Sequence, residues 1–232
     1  MKFKNKLIPA KFQKRYKRFF VDVENNGKIL ISHCANSGSM LGLLNKNNKS
    51  WVSRSDNSNR KLKYTLEIIN DGKSNVGVNT HNANRIVEDA ICNKQIKEII
   101  KYSNYQREVK FGSNSRFDFQ LTNKNEKAFL EVKNVTLSRN TGIAEFPDAV
   151  TSRGLKHLEE LEKAVKQGYE SFLIYLIQRE DCNKLKIAKD LDINYYKGFL
   201  KAQKNGVKFI SYSCKVNERE IYINKPIKIL FN

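Results

Sequence analysis

The chain has 232 residues, 40% of them hydrophobic and 29% charged, and its 43 Lys and Arg against 24 Asp and Glu leave a formal net charge of +19. That length holds one large domain or two modest ones around a real core, and the apolar content excludes a wholly disordered protein. The positive excess suits an anionic partner such as nucleic acid or a membrane surface, while the abundance of Lys, Asn and Ile is also what an AT-rich genome produces.

Residues 1–10 lack the apolar length of a signal peptide and no later run would span a bilayer, so a soluble, cytoplasmic protein with no membrane partner is expected. Cys34, Cys92, Cys182 and Cys214 are scattered without a C-x-x-C pair. They imply neither zinc nor a disulfide framework, and reduced thiols are the default. His33, His81 and His157 are equally dispersed, and a structural or surface role is expected for each.

The chain opens as β structure, with Phe19-Phe-Val-Asp-Val23 and Lys28-Ile-Leu-Ile-Ser-His33 flanking the hairpin signal Asn26-Gly27. Short strands follow at residues 50–53 and 63–69, between turn-forming stretches. This pattern predicts a small OB-like barrel over residues 1–80. Arg54, Arg60, Lys61 and Lys63 lie between those two strands, with Trp51 before them and Tyr64 after. A cationic loop with aromatics can hold single-stranded nucleic acid through phosphate contacts and base stacking. The same two rings can equally fill the barrel.

A helix is predicted from Asn84, which has N-cap chemistry, to about residue 100, with Glu88 and Asp89 near its first turns where they suit its dipole. A strand over residues 108–111 comes next. Then Ser115-Arg-Phe-Asp-Phe-Gln-Leu121 and Ala128-Phe-Leu-Glu-Val-Lys-Asn-Val135 alternate at period two around a short polar break. Arg116, Asp118 and Gln120 are expected on one face, with Phe117, Phe119 and Leu121 on the other. Glu131 and Lys133 stand together, and Leu130 and Val132 lie opposite. Pairing the two runs as a hairpin puts Asp118, Glu131 and Lys133 side by side.

Carboxylate oxygens are the ligands Mg²⁺ prefers, and Mn²⁺ would serve as well. Such an ion polarises a phosphodiester and acidifies a bound water, while the lysine helps deprotonate that water or stabilises developing charge. Asp followed by Glu-x-Lys on the next strand resembles the PD-(D/E)xK nuclease-like superfamily. On spacing alone, a surface hairpin with an Asp118–Lys133 charge pair would look the same.

Beyond a polar loop, a helix is predicted to begin near Pro147. Val150, Leu158, Leu161 and Val165 are expected to face the core, with Arg153, Lys156, His157 and Glu160 on the polar side. Where this helix borders the carboxylates, Arg153 and Lys156 can hold a phosphate. Residues 171–178 are apolar on both faces, as in a central strand covered by helices. A helix over residues 193–205, bounded by Asn194 and Gly206, and strands over 207–212 and 221–226 complete an α/β domain spanning residues 81–232.

Along nearly its whole length the chain resembles the SfsA (sugar fermentation stimulation protein A) family. The resemblance rests on His33-Cys-Ala-Asn-Ser-Gly-Ser-Met40, Arg60-Lys-Leu-Lys-Tyr-Thr-Leu-Glu67, Val76-Gly-Val-Asn-Thr80, Ser115-Arg-Phe-Asp118, Glu131-Val-Lys-Asn-Val-Thr-Leu137 and residues 146–158. It implies an α/β protein with an N-terminal OB-like β-barrel followed by a PD-(D/E)xK restriction-endonuclease-like α/β domain. DNA binding and a regulatory link to sugar metabolism are implied with it. Asp89 takes the place of a glutamate usual in the family's helix, with Glu88 just before it; either is expected as a further acidic member of the site, with Asp89 the favoured third metal ligand beside Asp118 and Glu131. The family's proline ahead of that helix is absent at Ala83. A Mg²⁺-dependent nuclease is therefore expected, with DNA or RNA as partner and a homodimer left open. A non-catalytic DNA-binding regulator of sugar-metabolism genes is the alternative, and a basic metabolic protein without a nucleic-acid role is a third.

Overall fold

Residues 1–112 and 115–231 are described by a computed structural model. The first six strands are β1 (Ile8–Tyr16), β2 (Phe20–Asn25), β3 (Lys28–His33), β4 (Lys49–Arg54), β5 (Tyr64–Asn70) and β6 (Asn75–Gly77), in the sheet order β3-β2-β1-β4-β5-β6. A parallel pairing of Ser32 with Tyr64 and His33 with Thr65 joins β3 to β5 and closes β1 to β5 into the expected barrel. Asn26 and Gly27, with φ of 49° and 76°, form the two-residue turn between β2 and β3. Phe12, Val21, Val23, Val52, Leu66 and Ile69 fill the interior, with Met40 and Leu43 from the β3–β4 connection. The sequence pattern does not announce β1, because only Phe12 of its nine residues is buried and cationic side chains occupy most outward positions.

A 3-10 turn at Thr80–Asn82 leads into α1 (Ala83–Cys92). The helix predicted to reach residue 100 ends early, where Lys94 takes a φ of 54° and only a 3-10 turn at Lys97–Ile99 follows. Ile96 and Ile99 still reach the core, which explains the longer apolar period. The remaining elements are β7 (Asn104–Phe111), β8 (Ser115–Thr122), β9 (Lys127–Val135), β10 (Leu137–Asn140), β11 (Ile143–Phe146), α2 (Ser152–Lys166), β12 (Glu170–Ile177), β13 (Lys184–Ile187), α3 (Ile193–Lys204), β14 (Lys208–Val216), β15 (Ile221–Pro226) and β16 (Lys228–Leu230).

The main sheet runs β15-β14-β12-β9-β8-β7, with β12 parallel to both neighbours and buried at every residue but its first. On one side α1 packs with Phe119, Leu121, Leu130, Val132 and Ile174. On the other, α2 and α3 cover Phe129, Leu173, Tyr175 and Ile177. A separate four-stranded sheet, β10-β11-β13-β16, packs into the same cluster as that second side through Ala144, Leu185, Ile187 and Ile229. Residues 143–146, ahead of the helix predicted near Pro147, are the strand β11; the Phe146–Pro147 bond is cis, and α2 starts only after Thr151, so Val150, expected in the core, is 77% exposed instead. The Thr151 hydroxyl caps α2 by accepting from the Gly154 N–H (3.0 Å), and Asp192, rather than Asn194, caps α3.

The two domains share a core, since Leu7 and Ile68 of the barrel segment lie in one cluster with the apolar side of α1. Arg179, 2% exposed, ties them further. It donates to Asp71 of the barrel (2.8 Å), to both oxygens of Asp181 (2.7 Å each) and to the Thr136 carbonyl (2.9 Å). The Gly77 N–H donates to the Gln178 carbonyl (2.9 Å), and the Ser39 hydroxyl to the Asp148 carbonyl (2.8 Å).

Candidate active site

The β8–β9 ladder runs from the Thr122–Lys127 pair to Phe119–Leu130 and stops there. Asp118 and Glu131 come next, where the strands part. Asp118 Oδ2 accepts from the Val132 N–H (2.8 Å), so its side chain replaces a backbone partner. The parting also turns β8: Phe117 packs on the α2 and α3 side, whereas Phe119 and Leu121 pack on the α1 side. The single shared face expected for these three residues is thereby corrected.

Asp118 Oδ1 accepts from Asn84 Nδ2 (2.7 Å). Asn84 is not the cap of α1 but lies inside it. The barrel fixes the start of this helix: buried Glu67 of β5 accepts from the Ser53 hydroxyl (2.6 Å), Asn79 Nδ2 (2.9 Å) and Asn82 Nδ2 (2.8 Å). One domain thus positions the helix that holds a carboxylate of the other.

Glu131 is 2% exposed. Its Oε1 accepts from Lys133 Nζ (2.7 Å) and is in short contact with His157 Nδ1 of α2. Arg153, one turn earlier on α2, donates from Nε to His157 Nε2 (3.4 Å). With a carboxylate at Nδ1 and a donor at Nε2, we assign the imidazole proton to Nδ1. Lys133 Nζ also lies 3.0 Å from Nδ1. The second carboxylate oxygen, Oε2, is buried without any partner among the described residues.

These surroundings separate the two acids. Burial, and then the negative charge of Glu131, push Asp118 up to about 6 against the relief given by the Val132 N–H, Asn84 and Lys133. Burial also pushes Glu131 up, but Lys133 and His157 outweigh it and hold the carboxyl below its ordinary range. Glu131 is therefore anionic at neutral pH, and Asp118 changes charge only slightly below it.

The structure places the other expected residues as follows. Asp89 is a correction: it pairs with the Met1 amine (3.1 Å), not with the carboxylates. Five positions along α1 carry it roughly 140° around the helix from Asn84. Glu88 is held by Arg107 (2.9 Å) and the Tyr105 hydroxyl (3.2 Å) of β7. Arg153 stands at the rim through its bond to His157, with exposed Lys156 beside it on α2. Arg116 is exposed on β8 and 3.6 Å from Glu108. Arg54, Lys61 and Lys63 are exposed on the barrel, while Arg60 donates to the Thr65 hydroxyl (2.7 Å). His157 and Asn84 are site residues that sequence reasoning did not single out. The one available signal for His157 is its helical spacing of four from Arg153.

Beside the site, a cleft of about 340 Å³ opens between the domains, lined by Arg18, Asn36, Thr80, Asn134, Asp148 and Arg153 among others. Among the described residues, no group of three His, Cys, Asp or Glu side chains is arranged to hold a metal ion by itself. The pair Asp118 and Glu131 suits a cation that keeps most of its waters. The partnerless buried Glu131 Oε2 fits such an ion, since a buried acceptor without a partner is costly.

Fold and site define a two-domain protein in which an OB barrel is set against an α/β domain carrying an acidic hairpin. Residues 14–78 match the SfsA N-terminal OB domain and residues 81–220 the sugar fermentation stimulation protein RE domain. A sugar fermentation stimulation protein homolog of Pelagibacter ubique is 51% identical over 230 residues, covering 99% of each chain, and one of Maricaulis maris is 42% identical over 231 residues, covering 99% of this chain and 98% of its own. The chain belongs to the sugar fermentation stimulation protein family. The solved structure of Pyrococcus furiosus SfsA in complex with Ca²⁺ superposes with a TM-score of 0.89 at 21% identity, covering 99% of this chain and 98% of the other.

Proposed function

We propose that the protein is a nucleic-acid-binding phosphodiesterase of the PD-(D/E)xK kind, acting on DNA or RNA with Mg²⁺ or Mn²⁺ held by Asp118 and Glu131. The observation that carries this reading is the buried Glu131 Oε2, left without a hydrogen-bond donor next to a second carboxylate. Lys133 and His157 both engage Oε1, so Oε2 remains open to a cation. The Pyrococcus furiosus relative binds Ca²⁺, another hard cation that takes oxygen ligands. When bound, the cation supplies Lewis acidity toward a phosphate oxygen and lowers the pKa of a water.

The protein's own groups do the rest. Lys133 holds its ammonium against Glu131 and stabilises negative charge that develops on the attacked phosphate. His157 keeps the Glu131 side chain oriented through Nδ1–H, and Arg153 binds a neighbouring phosphate from the rim. The net charge of +19 draws the polyanion in. The test is cleavage of single-stranded and duplex substrates with and without Mg²⁺, using Glu131→Ala and Lys133→Ala. Cutting should need metal and vanish in both variants while binding persists. Uncut substrate in every metal would refute the catalytic reading and leave a DNA-binding regulator of sugar-metabolism genes, recognisable by preference for particular sequences over competitor DNA.

A further inference from the structure

The aromatic residues flanking the cationic loop of the barrel are packing residues: Trp51 and Tyr64 are partly buried against hydrophobic clusters. An exposed row lies elsewhere. In the turn between β1 and β2, Lys17 and Arg18 take φ of 45° and 61°, a conformation that long side chains rarely adopt. This turn holds Phe19 outward at 41% exposure, an unusual place for a phenylalanine next to a well-filled barrel.

The neighbours of Phe19 continue the row. The Arg18 guanidinium sits 5.6 Å from the Phe19 ring centre and is fixed by two bonds to the Ser37 carbonyl (3.0 and 3.2 Å). The Phe19 ring is 6.4 Å from His33, and His33 is 6.4 Å from exposed His81. Arg60 flanks the row, since it donates to Thr65, the residue paired with His33. At the end away from Arg18, His81 stands three positions before Asn84, the partner of Asp118. Arg18 itself lines the interdomain cleft together with Arg153, the rim residue bonded to His157. Half-exposed rings flanked by guanidinium groups therefore run along the barrel from His81 to Arg18 at the edge of the cleft.

Base faces are available for stacking only where a strand is unpaired, so a row of exposed rings favours a single strand over a duplex. We propose that His81, His33 with Arg60 beside it, Phe19 and Arg18 form a stacking track that leads an unpaired nucleic-acid strand into the cleft at Arg153. The substrate of the Glu131 site is then single-stranded, or a duplex with a single-stranded end. This inference rests on the nucleic-acid reading given above, and its test separates the two.

Fluorescence anisotropy in chelator would compare the full-length protein with Phe19→Ala, Phe19→Tyr and His81→Ala on a labelled single strand of about 20 nucleotides and on the same sequence as blunt duplex, after each variant's thermal unfolding is matched to wild type. Loss of one stacking ring should weaken single-strand binding about fivefold or more, as base–aromatic stacking does elsewhere. Duplex affinity should stay within about twofold, because phosphate contacts dominate it, and Phe19→Tyr should bind like wild type. Unchanged single-strand affinity in both alanine variants, or equal losses on both polymers, would overturn the track and leave the nucleic-acid reading standing. Wild-type protein that binds neither polymer would overturn both.

Discussion

Replacing Asp118 by Asn tests the electrostatic description of the site without requiring any catalysis. Asp118 titrates near 6 in the folded protein against an ordinary 3.8. Its anion is thus disfavoured by about 3 kcal/mol, a figure that partial exposure and solvent relaxation reduce to about 1–2 kcal/mol. The sign follows from proton counting. As pH rises from 3.8 toward 6, the unfolded chain has released a proton that the native site keeps, so wild-type stability falls through this window and levels off above it. Glu131 acts in the opposite direction, contributing stability that is lost only as pH falls below its ordinary 4.5. Urea unfolding in chelator at pH 5, 6, 7 and 8 should therefore show wild type losing half of that Asp118 penalty, roughly 0.5–1 kcal/mol, between pH 5 and pH 8, the other half being lost below pH 5, while Asp118→Asn stays level. Saturating Mn²⁺ at pH 8 should reverse the ranking, because an ion at a hundred times its Kd stabilises the form that binds it by about 2.7 kcal/mol. At pH 5, where only about a tenth of Asp118 is ionised, the ion should bind about tenfold more weakly. Parallel pH profiles for the two proteins, or equal stabilisation of both by Mn²⁺, would refute this reasoning.

Other features of the structure carry their own expectations. Arg179→Ala should cost about 3–5 kcal/mol in urea unfolding, because it strands Asp71 and Asp181 without their buried partner. Gly77→Ala, whose Cβ would run into the Gln178 side chain and approach Ile221, should lower stability by about 1–3 kcal/mol and loosen the domain contact, read as faster proteolysis between β6 and α1. His157→Ala should reduce cleavage by about 10- to 100-fold with little change in nucleic-acid affinity, since the residue orients Glu131 and does not bind phosphate. Nucleic-acid binding should weaken steeply and linearly on a log–log plot against salt, and a flat profile would argue against phosphate-led recognition.

The fold was legible wherever one period dominated a segment. The Asn26-Gly27 turn and the doubly apolar run that became β12 declared themselves. Strands with little apolar signal did not: β1 buries a single side chain, and β13 and β16 have four and three residues. Asp118, Glu131 and Lys133 stood out because strand alternation and one hairpin suffice to place them near each other. Asn84 and His157 depend on how α1 and α2 cross the sheet, which local pattern does not encode. The error at Asp89 has the same origin, since position along a helix was visible but the side of α1 facing β8 was not. Phe19 was read as an ordinary strand residue because only the left-handed turn before it, with two long side chains, reveals that it points outward.

Cleavage of a labelled oligonucleotide with Mg²⁺ or Mn²⁺, set beside the Glu131→Ala variant under identical conditions, addresses the hydrolytic role of the hairpin most directly. Metal-dependent product from wild type and none from the variant, with both still binding the strand, is the predicted result. Equal product from both proteins, or none from wild type in either metal, would contradict it.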